Sequence, residues 1–256
     1  QYDSIVPYID IDIKGRALYK NRLMMLDLIA NNNWKRPIYF SGGAYDDEDF
    51  LWMKNYLQLD GMTYKLVPIK TEIPKDASPL EMGGIDTDKM YANVMKWDWG
   101  NSESLSIYHD PETRKNSITY RSYLSRLMNQ LILEGKKEKA KNIITLAMNK
   151  MPLEQFGYYS LLEPFAKGYY DLGENAKAQD LLSKLILKYK ENLKYYSSLT
   201  PSDQTSQAID IITDIERYRS LLLVMKESGD VTFYNKNKAQ FNTYVSIFER
   251  FGREKE

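Results

Sequence analysis

The sequence has no cysteine, a single histidine and no apolar run long enough to cross a bilayer. Without cysteine there can be no disulfide, no thiolate nucleophile and no cysteine metal site, although the compartment stays open because envelope proteins often lack it too. The longest purely aliphatic stretches, such as Leu221 to Met225, fall far short of the roughly 20 residues a spanning helix needs. Net charge is also missing. Thirty-five basic residues balance 35 acidic ones, so the whole chain has no long-range attraction to nucleic acid or anionic lipid, and nucleic acid is not an expected partner. The first residue is Gln1 rather than Met and no signal peptide is visible, as expected of a processed or excised piece.

What is present is ample material for a core. Of 256 residues, 43% are hydrophobic, enough for one large domain or two small ones. Tyrosine is abundant at 21 residues, several of them in doublets at Tyr158-Tyr159, Tyr169-Tyr170 and Tyr195-Tyr196. A phenol joins a large apolar face to a polar tip, which suits half-buried helix contacts and also stacking on sugars.

Along the chain, "KNRLMMLDLIA" from Lys20 to Ala30 is apolar nearly all round and predicts a helix covered on most sides. "RPIYFS" then reads as a short strand, with Pro37 tolerated at its start. A helix is expected from Asp46, capped by its acids, with Phe50, Met53 and Leu57 as its buried stripe and Gly61 as a left-handed cap. "MTYKLVPIK" alternates as a second strand. Strand, helix, strand predicts a small α/β unit with a right-handed crossover. Residues 71–85, with Pro74, Pro79 and Gly83-Gly84, read as a linker. A short helix follows with Met90, Val94 and Trp97 on one face, and Asp110-Pro111-Glu112 starts another. From there to Phe251 the pattern is helical. The expected fold is α+β, mostly α: a small α/β unit with its linker over residues 1–85, then a helical domain over 86–256.

The helical part carries a repeat. In "LEGKKEKAKNIITLAMNKMP", Gly135 is followed by Ala140, Ala147 and Pro152 at offsets that match the tetratricopeptide pattern, in which small residues let two antiparallel helices approach and proline ends the second. "DLGENAKAQDLLSKL" repeats it from Gly173 with Ala178, Leu182 and Leu185, 38 residues on. A degenerate third pair is expected around Gly229-Asp230, as terminal members of such arrays usually are.

Reactive chemistry is sparse. Gly42-Gly43 resembles a phosphate turn, but the acids at Asp46, Asp47, Glu48 and Asp49 would repel an anion there, and neither a Lys-Ser/Thr pair nor a G-x-G-x-x-G spacing is present. The Asp10/Asp12, Asp47/Asp49 and Asp86/Asp88 pairs have the spacing of a divalent-cation site, yet the last two are explained as helix-start acids. His109 beside Asp110 has no further ligands in sequence and reads as a loop or capping residue. No catalytic residue, metal site or cofactor is therefore expected. The concave face of the helical hairpins is the better candidate surface. With Arg121 and Tyr159 as first repeat positions, Ser125, Asn129, Glu163, Lys167 and Tyr170 would face inward and could bond an extended peptide or glycan; equally, the repeats could only pack.

Four stretches in order, "LMMLDLIANNNWKRPIYFS", "YLQLDGMTYKLVPI", "DKMYANVMKWDWGN" and "LEGKKEKA", resemble the C-terminal soluble region of large multi-spanning bacterial membrane proteins. That family, long catalogued as a domain of unknown function, is similar to GT-C-type glycosyltransferases and to the animal endoplasmic-reticulum protein O-mannosyltransferase. The resemblance covers about residues 15–150. It implies a fragment of a membrane protein lying at the extracytoplasmic, periplasmic face of the inner membrane, with the membrane domain of the same parent as a partner. No catalytic residue carries over, because the catalytic acid of such enzymes belongs to a loop near the first membrane helices. The family motifs fall on Trp34, Arg36, Pro37, Tyr39, Tyr64 and Pro68, which the resemblance marks as fold residues or contacts with the membrane part. A non-catalytic docking module is the leading expectation. A metal-dependent sugar-nucleotide enzyme using an aspartate pair, and a purely structural lid, are the alternatives.

Overall fold

A computed structural model describes residues 4–13, 17–41, 52–74 and 79–252. The chain divides into two compact units, Gln1–Met151 and Pro152–Glu256. The compositional boundary at 85/86 is a different division: it marks where strands give way to helices, whereas contact packing groups the first long helices with the strands.

The first unit opens with α1, Lys20–Asn32, ended by Asn33 in the left-handed region, which asparagine tolerates better than most residues. Strand β1, Tyr39–Ser41, follows. The expected helix start at Asp46, with Phe50 and Gly42-Gly43, lies outside the described residues. Its far end is corrected, because Lys54–Tyr56 forms a single 3-10 turn and Leu57 opens strand β2, Leu57–Asp60. The physical reason is the period. Leu57 and Leu59 are buried while Gln58 and Asp60 are half-buried, an alternation of two that only a strand can satisfy. Gly61 is not a helix cap either; at φ +69° it begins the two-residue turn joining β2 to β3, Thr63–Leu66, where Asp60 faces Thr63.

Strand β3 pairs antiparallel with both β1 and β2, so the two strands expected to be joined by a parallel crossover, here β1 and β3, run antiparallel instead. The supposed linker supplies β4, Gly84–Ile85, which runs parallel to β2 and completes the order β1-β3-β2-β4. Leu57, Leu59, Tyr64 and Leu66 share the buried face of this sheet.

Helix α2, Thr87–Val94, is capped by the Asp86 carboxylate and buries Met90 and Val94. Helix α3, Pro111–Leu133, begins at Asp110, whose Oδ1 accepts from the amides of Glu112 and Thr113. Helix α4, Lys137–Lys150, packs back on α3 across a three-residue joint, which makes the pair antiparallel. Tyr123 of α3 meets Tyr64 edge-on at 5.8 Å, tying the helical pair to the sheet.

The second unit is helical throughout its described residues. Helix α5, Leu153–Phe156, and a 3-10 turn, Tyr159–Leu162, lead into α6, Glu163–Asp171, and α7, Asn175–Ser197. Helix α8, Pro201–Ser206, precedes α9, Ala208–Glu227, α10, Val231–Ile247, and the short α11, Glu249–Gly252. Phe165, Ala178, Leu182, Leu185, Tyr218 and Met225 are among its buried residues.

The three helical pairs share one joint. Gly135, Gly173 and Gly229 have φ of +72°, +78° and +77°, and the next residue's amide reaches back five positions: Lys136 to Leu131, Glu174 to Tyr169 and Asp230 to Met225. This is the Schellman termination, and glycine is favoured because a Cβ is strained in the left-handed region.

Candidate docking site

An isolated helix of about 13 residues is marginal in water, so α1 needs tertiary cover to persist. Among the described residues it has little: none of its 13 residues is buried. Leu23, Met24 and Leu28 are 56%, 57% and 67% exposed. This corrects the expectation of a helix covered on most sides. Arg22 holds the N-terminal end by lying over the Tyr19 and Trp52 rings at 5.4 and 5.3 Å.

A groove of about 540 Å³ separates α1 from β1. Met24, Met25, Leu28 and Ile29 form one wall, and Pro37, Ile38, Tyr39 and Phe40 the other. Among the described residues, Arg36 is its one charged lining residue. A second hollow of about 390 Å³ adjoins it, lined by Trp34, Arg36, Pro37, Lys65 and Pro68 among others. Tyr39 donates to Asp60 Oδ2 at 3.2 Å; burial, with the Asp60 charge beside it, raises its phenol above the ordinary value.

The residues marked by family motif therefore divide. Tyr64 is a core residue, 1% exposed, whose phenol is pushed well up by burial. Trp34, Arg36, Pro37 and Tyr39 are exposed, and Pro68 is half-buried.

The proposed concave-face residues fall in different units, Ser125 and Asn129 in the first and Glu163, Lys167 and Tyr170 in the second. Ser125 is buried and donates to Ser122 O at 2.9 Å, while Asn129 is exposed. Glu163 accepts from Ser220 at 2.6 Å, and exposed Lys167 pairs with Asp171 at 3.0 Å. Tyr170 is buried, and its hydroxyl donates to Asp230 Oδ2 at 2.8 Å, where Gln179 also donates at 2.7 Å. Burial and that carboxylate raise the phenol. Ser125 and Tyr170 are thus engaged internally, as α-helical back-bonding and cap support dictate.

Of the aspartate pairs, Asp86/Asp88 is the one whose carboxylates are seen engaged among the described residues. Asp86 caps α2 and pairs with Lys89 at 3.0 Å. Asp88 is bridged by Lys139 at 2.6 Å and Lys136 at 2.9 Å, whose ammonium groups hold its carboxyl down at about 2. Asp10 and Asp12 are exposed, and Asp47/Asp49 lies outside the described residues. His109 Nε2 sits 2.9 Å from Ser102 O. Among the described residues no group of three or more His, Cys, Asp or Glu side chains gathers to hold a metal. No helix among them is long and apolar enough to cross a membrane.

Sequence reasoning missed the two arginines that organise the first unit. Arg121 is fully buried and donates to Met151 O at 2.9 Å at the end of α4; burial pushes its guanidinium down to about 10. Arg126 donates to Leu80 O and Gly83 O, both at 2.9 Å. A charge on an otherwise amphipathic helix face gives no signal of such a role. The α1 groove did have one: the all-round apolar pattern of residues 20–30.

No curated protein and no solved structure matches the chain. A family model described as TMEM260-associated domain 2 matches residues 1–89, a span that contains α1, the groove and all four strands. The part of the chain that carries the candidate docking site is thus similar to a domain associated with a membrane-protein family.

Proposed function

We propose that this chain is a non-catalytic docking domain of a larger, glycosyltransferase-like membrane protein, working on the extracytoplasmic face. The α1 and β1 surface engages the membrane part or a partner brought to it. The tetratricopeptide-like pairs α3/α4, α6/α7 and α9/α10 form the body of the module. One observation carries the reading: a helix with three strongly exposed apolar side chains and no buried residue stands beside an apolar groove. Such a surface marks an interaction site, because water-facing leucine and methionine at this density gain by burial. The match of residues 1–89 to a domain of a membrane-protein family supports it. Supporting it also, the carboxylates Asp86 and Asp88 are committed to a cap and to lysines.

Co-purification from detergent of the parent protein's remaining part with this chain tests the reading. Met24→Asp with Leu28→Asp is expected to abolish capture while the melting temperature stays unchanged. Full capture by this double variant would refute it.

A further inference from the structure

The groove beside α1 runs along an edge of β1 that no strand among the described residues covers, and that decides what it can hold. Strand β1 is one of the two outer strands of the sheet. Leu66 N–H donates to Ile38 O at 2.9 Å, and Tyr39 faces Lys65 in the register. In an antiparallel ladder, Ile38 and Phe40 therefore turn their backbone groups toward β3, while Tyr39 turns its own outward. Side chains alternate across a sheet, so Tyr39 lies on one face and Ile38 and Phe40 on the other. All three line the groove. A hollow lined from both faces of a strand follows that strand's edge.

One wall of the groove thus carries backbone donors and acceptors, and the other is the aliphatic side of α1. A lipid chain would leave the edge groups unmet, and a helix has no backbone groups to offer them. An extended peptide satisfies both walls, bonding the edge of β1 with its backbone and placing alternate apolar side chains among Met24, Met25 and Leu28. The unbranched methionines adapt to varied side chains. Charge narrows the choice further. Among the described residues lining the groove, Arg36 is the one that carries a charge, and none is a carboxylate. Residues 17–41 carry Lys20, Arg22, Lys35 and Arg36 against Asp27 alone.

We propose that the α1 and β1 groove binds an extended peptide by strand addition to β1, with alternate apolar residues against α1 and a carboxylate on Arg36. This deepens the docking reading and rests on it for its biological setting.

The probe is a set of synthetic peptides of about six residues, the usual length of a strand, alternating Val and Thr and ending in Glu. Binding to the whole chain is followed by fluorescence anisotropy and by the Tyr39 amide resonance. Saturable binding with a shift at Tyr39 is expected. N-methylation of the peptide residues that face β1 removes it, because the side chains stay while the edge bonds are lost. Arg36→Glu is expected to weaken binding about tenfold, the size of one charge-assisted hydrogen bond, and a lysine-ended peptide should regain it. Binding indifferent to N-methylation, no saturation at millimolar peptide, or a dimer of the chain that covers Tyr39 would each overturn the proposal. Loss of co-purification in the Met24→Asp, Leu28→Asp variant without any peptide binding would sink strand addition and leave the docking reading standing. Peptide binding with unaltered co-purification would do the reverse.

Discussion

Arg126 meets the sheet with a fork: Nη1 donates to Leu80 O and Nη2 to Gly83 O, with Tyr64 Oη 3.3 Å from Nη1. A planar guanidinium reaches two carbonyls at once where an ammonium cannot. Arg126→Met should therefore cost about 2–3 kcal/mol, the loss of charge-assisted bonds to groups with little access to water, read as a fall in the denaturant midpoint. Arg126→Lys should recover only part of it. Gly83 is the complementary constraint. At φ +72° an added Cβ would lie 2.4 Å from Leu57 O, which is backbone and cannot swing aside, so Gly83→Ala should unfasten β4 from β2 and lower the melting temperature. Asp214 bears on pH. It is 6% exposed, accepts from Asn192 at 2.9 Å, and burial raises its pKa above the ordinary value. A carboxyl whose folded pKa exceeds its unfolded one binds protons better when folded, so stability falls as pH rises from the ordinary carboxylate value through the raised one. Asp214→Asn should raise the melting temperature at neutral pH, with the gain vanishing as pH drops to the ordinary carboxylate range. Neither arginine nor Asp214 announces itself in the sequence, because burial of a charge is decided by distant neighbours.

At the scale of elements, the sequence reads best where local chemistry suffices. The Asp110-Pro111 start of α3 and the glycine joints are local devices, a carboxylate meeting free amides and a residue without a Cβ taking positive φ. Gly173→Ala should cost about 1–2 kcal/mol from left-handed strain alone, since nothing lies within 4 Å of the added methyl; chemical denaturation of the chain measures it. Reading failed at Leu57, where Met53 and Leu57 fit a helical stripe and Leu57 and Leu59 fit a strand. Pairing with Thr63–Leu66 decided it, and no window of residues 46–57 contains that partner. The two-residue β4 was likewise hidden inside an apparent linker, since a strand so short exists only because β2 offers it an edge. Helix α1 shows the opposite error: its apolar pattern suggested cover that the described residues do not provide.

At the scale of the whole molecule, each of the two units has buried residues of its own. All four tryptophans, Trp34, Trp52, Trp97 and Trp99, belong to the first. Tryptophan fluorescence therefore follows the first unit alone, while far-ultraviolet circular dichroism follows both. If each unit unfolds by itself the two curves do not coincide in urea, the outcome expected of two compact units; coincident curves would mean that the units unfold as one.

Sequence by itself determined the helical half, the strand character of residues 39–41 and 63–66, the Asp110 cap and the glycine joints, and the lack of a long apolar span. Each depends on periodicity or backbone preference within a few residues. Tertiary structure alone decided that β1 is an edge strand, that Arg121 and Arg126 are consumed by carbonyls, that Ser125 and Tyr170 are buried and bonded internally, and that no residue of α1 is buried beside its groove. These properties depend on which distant atoms arrive within a few ångströms, and burial, unlike periodicity, cannot be expressed by one stretch of chain.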